Sequence, residues 1–318
     1  MEGKGIGRLT WLKTLQNSEI TSTFAVDGGL QKRTFTFSLQ QSNPISGHVL
    51  QPAAPSDSVG TKVTLVPFFP QYAAHCPRKV STIAAKLVGH FLNYFVTDTL
   101  PRIIVIDDEE TIDLRTYYVE NQQRSDVSVL SLKIDLLEDA QEFHVYHVML
   151  KKQLRFLESG GLHWMFQAGN QRVAKQDAID GQIGLRYVGD DDDCVYIGLI
   201  TSPFLDAHVN QERTGFTVTT DDTAQIHSAG VAAAKDFLSK YIERIRRRQI
   251  ETTDRLILAN PQFLPFRESL ENFVNDNLSL NTQADEDIYD LLPNLPSFIR
   301  RVCSGYAPDR GVLRTQSV

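Results

Sequence analysis

The spacing of apolar residues changes along this chain, and that change limits which secondary structure each region can form. Apolar and polar residues alternate in residues 20–40, in 60–66 and in several stretches between 103 and 200. In residues 78–96 and 223–248 the apolar positions instead recur every three or four residues. Alternation is typical of strands with one buried face, whereas the longer repeat is typical of amphipathic helices. The pattern therefore predicts an α+β fold.

The first alternating block predicts a β-hairpin. Ile20 to Val26 should pair with Thr34 to Leu39 across a turn at residues 27–29. The helix over 78–96 should then link this block to a second, sheet-rich region. The further predicted strands are Ile103 to Ile106, Val127 to Leu136, Glu142 to Met149, Leu162 to Gln167 and Val195 to Ile200, and the further helices are residues 263–278 and 285–303.

The composition is that of an ordinary globular protein. The 318 residues are 42% hydrophobic and 22% charged, which is enough apolar material for a sizeable core. The formal net charge of −7 argues against a broad electrostatic grip on nucleic acid. The basic run at Arg244 and residues 246–248 could form a local basic stripe, although a solvated helix face is the favoured interpretation.

Localisation and metal binding can be addressed from the same sequence. No apolar stretch approaches the roughly 20 residues of a membrane span, and the start of the chain lacks a signal-peptide core. Cys76, Cys194 and Cys303 are far apart and odd in number, which suggests neither a disulfide framework nor a zinc site. The aspartate run at 190–193 could bind a hard cation, but a solvated loop is the favoured interpretation. We expect a cytoplasmic protein with no membrane contact and no metal ligand.

A glycine-rich loop opens the chain. Gly3, Gly5 and Gly7 leave the backbone free to turn its N–H groups toward an anion, and Lys4 and Arg8 add positive charge beside them. A helix starting nearby would direct its N-terminal dipole the same way. The loop lacks the spacing of a P-loop, so it predicts phosphate binding only in company with other motifs, and a frayed terminus is the alternative.

Three later segments supply such motifs. Residues 60–65, Gly-Thr-Lys-Val-Thr-Leu, form a glycine turn and an alternating strand after the predicted hairpin. Residues 202–216 contain the end of a strand, an acidic and apolar turn, a Val-Asn pair and then Arg213. Residues 168–175 read Ala-Gly-Asn-Gln-Arg-Val-Ala-Lys.

In this order the motifs resemble the GHKL superfamily of ATPases, which includes gyrase B, the heat-shock chaperone ATPases, histidine kinases and MutL. In that family a glycine-rich lid covers the triphosphate, a hairpin follows, and a G-T-x-V-x-L strand forms the floor of the pocket. Residues 202–216 resemble the catalytic loop of the transducer domain, where a basic residue reaches the γ-phosphate, and Arg213 falls on that position. Residues 168–175 resemble the N-G-R-x-V strand of MutL-type transducers.

The resemblance implies a fold and a ligand. Residues 1–70 would be the C-terminal, lid half of a GHKL (Bergerat) ATP-binding sandwich, 71–222 a linker helix and an α+β transducer domain, and 223–318 a helical extension. ATP with Mg²⁺ is the implied ligand, and Arg213 is the implied catalytic residue. The implied nucleotide contacts are Gly3, Lys4, Gly5, Ile6, Gly7, Arg8, Gly60 and Thr61.

The family pattern fails at its beginning. The helix with the general-base glutamate and the magnesium-binding asparagine should lie upstream of the lid, as should the D-x-G-x-G loop that reads adenine, and neither precedes Gly3. Glu271 and Asn275 have the E-x-x-x-N spacing but the wrong flanks and position, so we interpret them as one face of a helix.

We therefore expect a portion of a GHKL-type ATPase that converts ATP binding into domain or dimer closure. Its expected partners are ATP, the N-terminal half of the ATPase domain and a second copy of the chain. Alone it should bind ATP poorly, which leaves its own enzymatic activity open. The alternative is a non-catalytic interaction or scaffold module that has lost ATP binding.

Overall fold

The computed structural model describes residues 10–39, 43–134, 139–154, 160–210, 214–282 and 284–295. The chain forms two compact units, Met1–Arg78 and Lys79–Val318. Strands and helices occur in both units, so the predicted α+β class is confirmed. Among the described helices, none is long and apolar enough to cross a membrane.

The first unit is built around one sheet. Its elements are α1 (Thr10–Thr14), β1 (Leu15–Val26), β2 (Gly29–Phe37), β3 (Ile45–Pro52), β4 (Gly60–Phe68) and α2 (Pro70–Ala73). The strands are antiparallel in the order β3-β2-β1-β4. The predicted hairpin is present, with Ile20 opposite Phe35. β1 begins earlier than predicted, because Leu15 pairs with Phe68 and the polar residues 16–18 belong to the strand as well.

The second unit contains a five-stranded sheet in the order β10-β9-β11-β8-β7, antiparallel except for the β9–β11 pair. A separate two-stranded ladder is formed by β5 and β6. The elements are α3 (Val80–His90), α4 (Leu92–Val96), β5 (Ile104–Ile106), β6 (Thr111–Asp113), α5 (Leu114–Asn121), β7 (Gln122–Leu132), β8 (Gln141–Lys151), β9 (Trp164–Gly169), β10 (Arg172–Ala178), α6 (Asp180–Ile183), β11 (Cys194–Thr201), α7 (Pro203–His208), α8 (Thr220–Phe237), α9 (Ser239–Ala259), α10 (Leu270–Asn277) and α11 (Asp285–Leu291).

Both faces of this five-stranded sheet are covered by helices. Val195, Ile197 and Leu199 of β11 belong to the same cluster as the buried residues of α3, α4 and α5. Tyr196 and Ile200, the intervening residues, pack with the buried residues of α8 and the first half of α9. Because both faces of β11 are apolar, the strand is one continuous hydrophobic run. The sheet is therefore the middle layer of this unit.

Two predicted helices are interrupted. The helix predicted over 78–96 divides at Phe91 into α3 and α4, and the one predicted from 223 onward divides at Leu238 into α8 and α9. At the second break the Phe237 carbonyl accepts a hydrogen bond from Arg124 at 3.2 Å, while the Tyr241 amide bonds to the carbonyl of Leu238. The Arg124 side chain of β7 therefore replaces one backbone hydrogen bond of the helix, the one that the Phe237 carbonyl would otherwise accept.

A third predicted helix, over 263–278, is α-helical only in its second half. Residues Pro261–Ser269 form a 3₁₀ helix, and α10 begins at Leu270. Pro265 lies inside the 3₁₀ segment, and a proline lacks the N–H that an α-helix interior needs. The helical period of the apolar residues could not reveal this change of geometry.

The basic run of α9 has a structural role. The Arg246 guanidinium donates to the carbonyl of Val274 at 3.1 Å and to that of Leu278 at 2.7 Å, which lie at the C-terminal end of α10. It also donates to the Gln249 side chain at 2.9 Å, and Gln249 in turn donates to the carbonyl of Ser279 at 2.7 Å. These bonds connect α9 to the C-terminal end of α10. The Val274 carbonyl also accepts from the Leu278 amide, whereas the Leu278 carbonyl lies past the last turn of α10 and has no helical amide as a partner.

Replacing Arg246 should therefore loosen the packing of α10 on α9. We expect Arg246→Met to lower the free energy of unfolding by about 2 kcal/mol, because charge-assisted hydrogen bonds to these carbonyls are lost. Arg247 is exposed and adjacent, so Arg247→Met should change it by less than about 0.5 kcal/mol. Urea unfolding of both variants is the measurement, and equal losses would contradict the assigned role of Arg246.

A buried histidine joins the sheet to α8. His147 lies on β8, with Nδ1 at 2.7 Å from the Tyr196 hydroxyl and Nε2 at 2.9 Å from the Ser128 hydroxyl. Its ring stacks on Phe237 at a centroid distance of 4.9 Å, and the Arg124 guanidinium lies 4.1 Å from the centroid of that same phenyl ring. Burial lowers the pKa of His147 to about 4.

Acid should therefore weaken the second unit through His147. A histidine with a lowered folded-state pKa stabilises the fold fully above its usual pKa of roughly 6.5, and this contribution is lost as the pH falls toward 4. We expect the loss to approach about 3 kcal/mol in urea unfolding measured at several pH values. His147→Gln should flatten this dependence, whereas His144→Gln, whose side chain is on the opposite face of β8, should leave it. Parallel curves for the wild type and His147→Gln would refute the assignment.

Candidate functional site

The residues implicated by the motifs divide into two groups. Gly3, Lys4, Gly5, Ile6, Gly7, Arg8 and Arg213 lie outside the described residues. Gly60 and Thr61 are described, and they form the first two positions of β4, at one edge of the four-stranded sheet. The surroundings of these two residues in the first unit and the segments next to Arg213 in the second unit are two separate candidate regions, and each is described by itself.

The four-stranded sheet has one apolar face. The strand register places the following side chains on it, and we call them the apolar face: Ile20, Phe24, Phe35, Phe37, Val63 and Leu65. All six are half-buried or exposed, and Leu15 is the only apolar residue that is buried among the described residues of this unit. A sheet requires another layer against its apolar face to be stable. The described part of the unit does not supply that layer.

A polar row crosses the same face between Phe24 and the other members of the apolar face. Ser22 lies opposite Arg33 on β2 and opposite Thr61 on β4, and we call these three residues the polar row. The Ser22 and Thr61 hydroxyl oxygens are 2.8 Å apart, and the Arg33 guanidinium lies 5.3 Å from the centroid of the Phe24 ring. The row therefore offers two hydroxyls and a cation beside an aromatic ring, which suits a ligand with both polar and flat apolar parts.

Gly60 leaves open space beside Thr61 but on the opposite face of β4, because successive residues of a strand point to opposite faces. Its φ is outside the left-handed region, and a Cβ built on it would meet none of the described atoms within 4 Å. Neither backbone conformation nor crowding by described residues therefore requires glycine at this position. Glycine here lets another group approach the strand closely.

The segments on either side of Arg213 are held together. Val209 and Phe216 form a β-bridge, and the Asn210 amide donates to the Gly215 carbonyl at 3.0 Å. The Thr214 amide donates to the Asn210 side-chain oxygen at 2.9 Å. We call residues 209–216 the Arg213 loop, and its two ends are closed by these bonds.

A second motif contacts this loop. Residues 168–175 contain the end of β9, the turn at 170–171 and the start of β10. Asn170 and Gln171 both have positive φ, as a tight hairpin turn requires. Asn170 donates twice to Asp206 of α7, the helix that leads into the Arg213 loop. The sequence predicted both motifs separately, and the structure brings them into contact.

Several candidates from the sequence take structural roles instead. Lys240 pairs with Asp190 at 3.4 Å, and Arg244 pairs with Asp192 at 2.9 Å, so α9 supplies cations to two of the four aspartates in the run. Burial raises the pKa of the Cys194 thiol to about 12, which leaves it without nucleophilic character at neutral pH. Among the described residues, no three His, Cys, Asp or Glu side chains are grouped to hold a metal ion.

Sequence reasoning missed part of the candidate site. Ser22 and Arg33 became candidates only through the strand register that places them opposite each other and beside Thr61. Their signal in the sequence is weak, because single polar residues interrupt many strands. Asp206 was visible within the motif, but no spacing rule connected it with Asn170.

A scan against protein-family models finds no match for the chain, and a search of curated proteins also finds none. The chemistry of the described residues and the order of the motifs therefore carry the functional inference.

Proposed function

We propose that this chain provides the lid and transducer portions of a GHKL-type ATPase. In this proposal the polar row and Gly60 form the floor of a nucleotide pocket, and residues Gly3–Arg8 cover the triphosphate. ATP enters with Mg²⁺, whose ligands would come from a polypeptide layer on the apolar face. Closure of the lid then draws Arg213 toward the γ-phosphate.

The observation that supports the proposal most directly is the polar row that crosses the apolar face. A face of this kind needs a covering layer, and the row on it offers two hydroxyls and a cation, with Thr61 and Arg33 exposed. In the GHKL family the helix with the general-base glutamate and the magnesium-binding asparagine lies upstream of the lid. The N-terminal half of the ATPase domain is therefore the proposed cover.

The proposed role of Arg213 follows from charge. A guanidinium close to the γ-phosphate offsets the negative charge that develops during phosphoryl transfer. The Arg213 loop is closed at both ends, and this supports a residue whose position must be reproducible. Domain or dimer closure would then depend on ATP, because only bound triphosphate attracts the guanidinium.

Nucleotide binding tests the floor of the pocket. We expect the chain joined to the residues encoded directly upstream in its reading frame to bind a fluorescent ATP analogue with Mg²⁺, and the chain alone to bind it poorly. In the joined protein Thr61→Ala should raise the Kd about tenfold by removing one hydrogen bond. Thr34→Ala is the matched control, because Thr34 lies on the opposite face of the same sheet.

Three results would contradict this assignment. Tight binding by the chain alone would rule out a divided pocket. Equal effects of Thr61→Ala and Thr34→Ala would remove the polar row from the site. No binding by the joined protein would favour the scaffold alternative, in which the apolar face serves protein association only.

Turnover tests Arg213. In the joined protein Arg213→Ala should lower the kcat for ATP hydrolysis about 100-fold while KM changes by less than about threefold, because the guanidinium acts mainly on the transition state. Arg247→Ala is the matched control on the exposed face of α9. Steady-state phosphate release is the measurement, and unchanged kcat in Arg213→Ala would leave this residue without a catalytic role.

A further inference from the structure

A cavity of about 580 Å³ lies at the edge of the five-stranded sheet in the second unit. The edge strand β10 contributes Lys175, Asp177 and Ala178 to its lining, and the first two turns of α8 contribute side chains that include His227. Val218, in the segment before α8, adds an apolar wall. A volume of this size lies in the range of small-molecule sites.

Three titratable side chains meet at one carboxylate in this cavity. Oδ2 of Asp177 lies 3.5 Å from Nζ of Lys175 and 3.6 Å from Nδ1 of His227. Asp177 Oδ2 and His227 Nδ1 are both buried, and neither makes a hydrogen bond with a described residue. Both distances exceed that of a good hydrogen bond, so the groups attract one another while much of their hydrogen-bonding capacity is unused.

The carboxylate also determines which nitrogen of His227 is an acceptor. Burial lowers the pKa of His227 although the Asp177 carboxylate opposes this shift, so the imidazole is neutral at neutral pH. A neutral imidazole carries one proton, and the carboxylate favours that proton on Nδ1. Nε2 is therefore an acceptor, and the Lys175 ammonium in the same cavity is a donor.

Gln167 adds an unsatisfied polar group on the same face of the sheet. It lies opposite Lys175 in the β9–β10 ladder, and residues paired in this way share a face. Gln167 is fully buried, and neither polar atom of its side-chain amide makes a hydrogen bond with a described residue. Buried amides without partners are uncommon because they cost free energy. This part of the sheet therefore holds more hydrogen-bonding capacity than its described residues use.

The charges of the lining decide between classes of ligand. Lys175 and Asp177 compensate each other, and the other described residues of the lining include no Lys, Arg, Asp or Glu. An anion would be repelled by the Asp177 carboxylate and a metal cation by the Lys175 ammonium. Hydroxyl groups carry no charge and both donate and accept, and Gln182 and Thr220 offer further groups of both kinds. The lining therefore favours a neutral ligand rich in hydroxyls.

We propose that this cavity binds a neutral, polyhydroxylated molecule of monosaccharide size. One hydroxyl donates to Nε2 of His227, and a neighbouring hydroxyl accepts from Lys175. Since Oδ2 of Asp177 is buried, the ligand reaches this carboxylate through Oδ1. The carbon skeleton packs against Val218 and Ala224. The site lies within the second unit and does not rest on the proposed function.

Ligand-observed NMR on the chain itself tests the proposal. We expect saturation transfer to at least one of the neutral sugars glucose, galactose, mannose, ribose and xylose, with a Kd on the order of 1 mM. Methyl phosphate is the anionic probe and should receive none. Asp177→Asn should raise the Kd of the bound sugar about tenfold, because a hydrogen bond to a charged acceptor is lost and the Lys175 charge is left uncompensated.

Ala224→Phe is a second variant that keeps every polar group of the site. Ala224 is exposed on α8 and lines the cavity, so a phenyl ring there should occupy the space and raise the Kd at least tenfold. Ala232→Phe is its matched control, because Ala232 is exposed on the same helix outside the described lining. Gln176→Ala is the control for Asp177→Asn, because Gln176 is the next residue of β10 and points to the opposite face. Neither control should change the Kd.

Three results would overturn the proposal. The first is an absence of saturation transfer to every sugar of the set. The second is an equal Kd in the wild type and in Ala224→Phe, which decides the matter even where Asp177→Asn does not fold in a urea titration. The third is saturation transfer to methyl phosphate in preference to the sugars, which would make the cavity an anion site.

Discussion

Burial of the central strand β11 on both faces is the interaction on which the second unit depends. Its alternate side chains enter two separate apolar clusters, one shared with α3–α5 and one with α8 and α9. Since β9 and β8 flank this strand, the helices on either side cannot move independently of the sheet. The Arg213 loop follows β11 directly through α7, so its base inherits the rigidity of the core.

In the first unit, by contrast, the described residues leave the apolar face of the sheet without a covering layer. Its sheet is well paired over long strands, but hydrogen bonding between strands does not remove apolar side chains from water. The apolar face therefore gains most of its stability from whatever packs against it. A layer that binds there would also bring groups close to the polar row, so completion of the fold and completion of the site would be one event.

The sequence predicted elements whose apolar side chains all lie on one face. It failed where a distant contact or the backbone geometry determined where an element ends. The β1–β2 hairpin was predictable because its apolar positions alternate across a turn with glycines. The break at Leu238 was not, because it depends on Arg124, more than a hundred residues away. At the candidate site the motif around Thr61 was visible, whereas Ser22 and Arg33 required the strand register.

The dimensions of the apolar face show that the layer that covers it must be larger than a nucleotide ligand. Along β1 it extends from Phe24 to the level of Ser18, which is about 20 Å, and its width across the three strands β2, β1 and β4 is about 10 Å. Helices pack about 8–10 Å apart, so one or two of them would cover this area, whereas a nucleotide is too small to do so. A polypeptide layer must therefore bury the apolar rows, and the polar row between them is the part of the face that the proposed function assigns to the ligand. The stability of the sheet must come from the larger, apolar surface.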